Sequence, residues 1–154
     1  NFMRGTRITS IPSDIFNFSP SATTFTDTFS TITTLTNVPS GLFNNVPTAT
    51  TFASCFFGCT ALTSVPSTLF DTNINVVNFS GTFRNCRSLT NVLQFTNNTN
   101  VTIFNNVYNM SSTANSLTGT APELWNRTPT PSGTDAFNNC TGLANFASIP
   151  LNWK

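Results

Sequence analysis

The stretch FFGCTALTSVPSTLF, Phe56 to Phe70, returns in altered form as FRNCRSLTNVLQF, Phe83 to Phe95, at an interval of 27 residues (83 − 56 = 27). The interval runs through the whole chain. Stepping by it lands on Phe2, Phe29, Phe56, Phe83, Met110 and Phe137, an apolar residue every time. A second column holds Ile8, Leu35, Leu62 and Leu89, slips by one residue to Leu117 and returns at Leu143. A third holds Pro12, Pro39 and Pro66, becomes Leu93, and reappears displaced as Pro122 and Pro150; a fourth holds Phe16, Phe43 and Phe70. A unit this short cannot bury its apolar face alone, whereas stacked copies share one continuous core. The chain is therefore read as a single domain over residues 1–154, with units starting near residues 2, 29, 56, 83, 110 and 137, the last one partial.

Within each unit the hydrophobic period changes. Phe25, Phe29 and Ile32, then Phe52, Phe56 and Cys59, then Phe79, Phe83 and Cys86 fall at i, i+4, i+7, the spacing of one face of a short helix. The surrounding Thr, Ser and Asn compete for backbone hydrogen bonds, so one or two turns are expected, 3-10 in part. The LTNVP and LTSVP segments, Leu35 to Pro39 and Leu62 to Pro66, alternate apolar and polar residues before a proline and predict short strands. Ile74 to Val76 and Val101 to Ile103 predict a second strand in each unit. The segment from Asn126 to Thr134, NRTPTPSGT, reads as an irregular, protruding loop.

The landmarks FxxCxxLTxVPxxLF, Phe56 to Phe70, resemble the BspA-like type of bacterial leucine-rich repeat, and the resemblance extends to SLTGTAPELWN, Ser116 to Asn126, and to Phe137 to Lys154. Such repeats are also found in bacterial surface proteins and phage tail-associated proteins. The resemblance implies a right-handed leucine-rich-repeat solenoid of about six coils, each a short strand plus a short helix or 3-10 turn. It makes Phe29, Leu35, Phe56, Cys59, Leu62, Phe83, Cys86, Leu89, Phe137, Cys140 and Leu143 the repeat core. It implies adhesion or partner contact, and it brings no catalytic residue.

Composition narrows function from another side. Only 7% of residues are charged, the formal net charge is +1 and there is no His, while 38% hydrophobic residues suffice for a core. A near-neutral chain has little attraction for phosphate backbones or anionic lipid, so no nucleic-acid partner is expected. No apolar run reaches the roughly 18 residues of a membrane span, so no membrane insertion is expected. General acid–base chemistry lacks its usual groups. Asp27 and Asp135 share a column but lie four units apart, too far for a glycosidase pair, and suit helix N-terminal caps instead. Asp14, Asp71 and Glu123 fall on loop-like segments near proline. The chain is expected not to be an enzyme and to need no cofactor.

Four cysteines leave two readings. Cys59, Cys86 and Cys140 share a column and Cys55 precedes Cys59 by four residues. Parallel core positions favour buried free thiols; a disulfide between adjacent coils is the alternative. Zinc is disfavoured, because a CxxxC spacing has no second ligand pair here and no His to supply one. Asn-x-Ser/Thr triplets occur as often as this composition produces by chance, and carry no information.

Candidate binding residues are few. Arg84 and Arg87 lie three apart on the outer face of one predicted helix and could take an anion, although an ordinary solvated surface accounts for them as well. Tyr108 and Trp125, with Trp153, could offer stacking faces to a sugar; Trp125 and Trp153 follow Pro122 and Pro150 at positions that Phe fills elsewhere, which favours core or edge packing. Arg127 sits in the predicted loop, and Arg4, Arg7 and Lys154 are scattered. Neither terminus reads as a dedicated cap, so continuation into a longer chain or end-to-end self-association is expected. Three functions fit: a surface-exposed interaction or adhesion protein on a bacterial cell or phage virion, binding a protein or glycan on a host or neighbouring surface; a self-assembling fibre or decoration subunit; and a carbohydrate-binding module. All three place the chain outside the cell, on its surface or on a virion.

Overall fold

A computed structural model of the protein describes residues 7–154; Phe2 and Arg4 lie outside the described residues. The expected strand-plus-helix unit is not formed. Among the described residues there is no α-helix, and helical geometry is confined to three one-turn 3-10 segments, Leu124–Asn126, Phe146–Ser148 and Leu151–Trp153. Extended strands are absent among them as well. Their place is taken by isolated parallel bridges, Thr24 to Thr51 to Asn78 to Ile103 to Ser132 on one line and Asn37 to Ser64 on another. A leucine-rich-repeat solenoid of strands and helices is thus overturned.

The i, i+4, i+7 spacing has a different cause. In residues 52–59 the Cys55 N–H donates to the Phe52 carbonyl and the Cys59 N–H to the Phe56 carbonyl, making two four-residue turns laid end to end. The third residue of each has positive φ, Ser54 at 54° and Gly58 at 69°. That is the pattern of type II turns, and a right-handed helix cannot contain it. Residues 79–86 repeat it around Gly81 (63°) and Asn85 (61°), and residues 133–140 around Asp135 (55°) and Asn139 (63°). Chained turns have a period of four, close enough to the helical 3.6 to mimic it in sequence. Asp27 and Asp135 are consequently turn residues in the left-handed region, not helix caps.

These turns direct alternate N–H groups at the neighbouring coil. Phe52, Ser54, Phe56 and Gly58 donate to the carbonyls of Asn78, Ser80, Thr82 and Arg84 at 2.8 to 3.0 Å. Backbone polarity is thereby satisfied between coils without extended strands. On the second line the contact is one residue wide. Thr36, Thr63 and Thr90 each send both N–H and Oγ1 to the carbonyl of the threonine 27 residues earlier. The strand expected at Ile74 to Val76 is absent, Ile74 and Asn75 lying in a turn; Ile103 is the one bridged residue of Val101 to Ile103.

The apolar interior is built of aromatic ladders. Phe29, Phe56, Phe83, Tyr108 and Phe137 stack in that order with centroids 5.4, 5.7, 5.3 and 5.9 Å apart. Phe25, Phe52, Phe79 and Phe104 form a second ladder, and Phe16, Phe43 and Phe70 a third. The rung between Phe83 and Phe137 is Tyr108, not Met110, which is buried elsewhere. The coil before it is two residues short and the next two residues long, so a strict 27-residue step misses the exchange. Leu35, Leu62, Leu89, Leu117 and Leu143 are buried together with Cys59, Cys86 and Cys140.

A polar ladder runs beside the aromatic ones. Asn73 Nδ2 donates to the carbonyls of Phe43 and Val46, and Asn98 Nδ2 to those of Phe70 and Asn73. One coil further on, Arg127 Nη2 and Nη1 reach the carbonyls of Phe95 and Asn98 at 2.7 and 2.9 Å. Beyond Arg127 the expected loop is only partly a loop: Thr128 to Thr130 are exposed, Pro131 and Gly133 are buried, and Ser132 bridges Ile103. A Cβ on Gly133 would come within 2.2 Å of the Trp153 ring, so the close approach there requires glycine. Asn152 and Trp153 carbonyls accept from Asp135 and Phe137, the same coil-to-coil bonds that Ala53 and Cys55 carbonyls accept from Asp27 and Phe29.

Candidate functional site

Of the five candidate binding residues Tyr108 belongs to the core, and Trp125 and Arg127 are partly buried against it. Tyr108 is fully buried between Phe83 and Phe137, and its hydroxyl accepts the Leu93 N–H at 2.8 Å. Burial pushes its phenol well above the usual range. Trp125 packs edge-on against Phe137 and Trp153, the latter itself buried. Arg127 is half-buried, spends two donors on backbone carbonyls and lies 5.2 Å from the Phe104 ring centroid. Its loss of hydration lowers the guanidinium pKa. Tyr108 presents no free face to a sugar or an anion, Trp125 is only partly buried, and Arg127 lines a separate pocket of about 200 Å³ with Thr96, Thr99 and Pro129.

Arg84 and Arg87 are exposed, as turn residues rather than on a helix. Arg87 donates to Ser111 Oγ at 2.6 Å. Arg84 instead borders a groove of about 320 Å³ that crosses four successive coils, lined among others by Asp27, Ser54, Phe57, Ser80 and Asn105. Its walls follow from the turn geometry. Asp27, Ser54, Gly81 and Asn106 are the positive-φ residues of the first turn in successive coils, and all four line the groove. Ser30, Phe57 and Arg84 form a parallel column at the 27-residue step, which sets the Arg84 guanidinium 5.8 Å from the Phe57 centroid. Gly81 keeps the middle open, since a Cβ there would lie 3.2 Å from Ser54 Oγ.

Sequence reasoning found Arg84 but missed the rest of this groove. One signal was present: where the column carries Ser and Arg in neighbouring coils, it carries the half-exposed Phe57 directly after the core residue Phe56. The serines could not be recognised among so many others.

The cysteines are free thiols and all four are buried. Cys59, Cys86 and Cys140 each donate to a backbone carbonyl of the preceding coil, those of Phe29, Phe56 and Tyr108, at 3.1, 3.0 and 3.1 Å. Thr82 Oγ1 makes the equivalent bond to Phe52 from the neighbouring turn. Burial pushes Cys59 and Cys140 up to about 12 and raises Cys55 and Cys86 as well. Thiols held protonated in this way are poor nucleophiles and poor metal ligands. Among the described residues no three of His, Cys, Asp and Glu gather where they could hold a metal ion, and no helix is long and apolar enough to cross a membrane.

The chain matches no protein-family model and no curated protein.

Proposed function

We propose that this protein is a non-enzymatic, surface-exposed interaction module of the kind carried by bacterial adhesins or phage virions, and that it binds its partner through the groove across its chained turns. The observation that carries this reading is the groove itself. Four coils contribute two or three turn residues each to a polar trough bearing Arg84 on a frame of stacked aromatic rings. Rigid elements beneath a polar surface favour recognition, because little conformational entropy is lost on binding. The resemblance of Phe56 to Phe70 to BspA-like repeats points the same way, as does a composition rich in Thr and Asn and poor in charge.

A direct test is retention of the fluorescently labelled chain on immobilised bacterial cells and on mucin-coated surfaces. Saturable retention on one of them is expected; none on any surface would refute the proposal.

A further inference from the structure

The groove also specifies what kind of partner it takes. Its volume of about 320 Å³ admits a small ligand or a segment of a chain rather than a protein face. A peptide is a poor occupant, since extended peptides bind by adding main-chain hydrogen bonds to free backbone groups. Here most of the N–H groups are spent: Asp27, Ser54, Gly81 and Asn106 donate to the carbonyls of Ala53, Ser80, Asn105 and Thr134, Ser30, Phe57 and Arg84 donate to their own turns, and Ser80 donates to Asn78 Oδ1. Side-chain hydroxyls, two amides, one guanidinium, one carboxylate and a phenyl ring are left to do the binding.

That set matches a saccharide. Hydroxyls of Ser54 and Ser80 can exchange hydrogen bonds with sugar hydroxyls, and Phe57 offers an apolar surface to ring C–H groups. The aromatic rungs under the groove repeat every 5.3 to 5.9 Å, comparable to one pyranose unit of an extended glycan, so successive coils meet successive sugars in register. The charges are polarised along the same axis. Arg84 stands two coils from Asp27, a separation on the order of 10 Å at the usual spacing of paired chains. A guanidinium grips a carboxylate by two parallel hydrogen bonds. Asp27, acceptor-only when ionised, favours donating hydroxyls and repels a second carboxylate. A phosphodiester chain, charged at every unit, meets that repulsion too.

We propose that the groove binds a short oligosaccharide carrying one carboxylated sugar, its carboxylate on Arg84 and its neutral sugars running towards Asp27. This rests on the reading of the chain as a surface-binding module, but it is tested separately. Titration calorimetry would compare sialyllactose with lactose, and a glucuronic-acid-capped xylotriose with xylotriose, the two acids distinguishing sialic from uronic sources. At least one acid-bearing sugar is expected to bind more than tenfold tighter than its neutral parent. Arg84→Ala should abolish that preference, and because Arg84 is exposed the variant should keep its circular dichroism and melting temperature. Asp27→Asn should preserve it while improving binding of trigalacturonate, which the native chain should bind weakly. Binding of neither acid-bearing sugar, or binding indifferent to Arg84→Ala, overturns the proposal, and so does equal affinity for an acidic tetrapeptide. Surface retention that survives Arg84→Ala and is not competed by these sugars would leave the adhesive function standing without this ligand; sugar binding without surface retention would do the reverse.

Discussion

Arg127 shows how a residue's chemistry can be legible in the sequence while its partners are not. It is a cation in a segment rich in Pro and Thr, yet its guanidinium does the work that Asn73 and Asn98 do in earlier coils, closing onto the carbonyls of Phe95 and Asn98. A carboxamide in this column reaches two carbonyls from inside; the longer guanidinium reaches the equivalent pair from the side. Replacing Arg127 with Ala orphans both acceptors and exposes the Phe104 ring. A destabilisation of about 2–3 kcal/mol is expected from two charge-assisted bonds in a half-buried setting, measured as a lower urea midpoint with an unchanged slope. Ligand binding at the distant turn groove should be unaffected. A loss of binding without loss of stability would return Arg127 to the binding residues.

At the scale of the element, the four-residue turn is the unit of construction, and its third residue bears the conformational cost. Most coils place Gly, Asn, Asp or Ser there, whereas Thr31 sits at φ 61° with a β-branched side chain. Thr31→Asn keeps a polar residue and relieves that strain. A gain of about 0.5–1 kcal/mol is expected, seen as a higher melting temperature; an unchanged or lower one would mean that Thr31 is held by packing. The aromatic ladder provides the opposite test. Phe83 lies between Phe56 and Tyr108 and is fully buried. Phe83→Ala removes both stacked contacts and leaves a cavity that two neighbouring coils cannot close, so a loss of about 3–5 kcal/mol is expected by chemical denaturation.

For the whole molecule, the protonation of the buried thiols sets an alkaline limit. An exposed thiol has an ordinary value of 9.0, and burial raises Cys59 and Cys140 to about 12 and lifts Cys55 and Cys86 in the same direction. The neutral form is therefore favoured in the folded chain. Its stabilising contribution is fully present below the ordinary value and is lost as pH rises towards the folded values. Each unit of pH across that window costs about 1.4 kcal/mol per thiol. Stability against urea should be flat from neutral pH to about pH 8 and fall steeply by about pH 10, a fall that Cys→Ser variants or a denaturant-free thiol titration can assign. Native thiols should resist alkylation at about pH 8 and react only on unfolding. Rapid labelling of the native chain would contradict their burial.

The sequence carried the period of 27, the columns of Phe, Leu and Cys that occupy the interior, and the shortage of groups for acid–base chemistry, because each of these is a property of residue type and spacing alone. Phe29, Phe56 and Phe83 could be aligned without knowing what backbone joins them. The backbone was decided by tertiary contacts. The four-residue period of chained turns and the helical period of 3.6 differ by less than half a residue per turn over Phe52 to Cys59, and only hydrogen bonds to the next coil select the turns and their positive φ. Those same bonds admitted Tyr108 to the Phe ladder out of step, drew Arg127 inward, and set Arg84 over Phe57 in one groove with Ser54 and, two coils away, Asp27. A groove made of two or three residues from each of four coils has no contiguous signature, since its members become neighbours only when the coils are stacked.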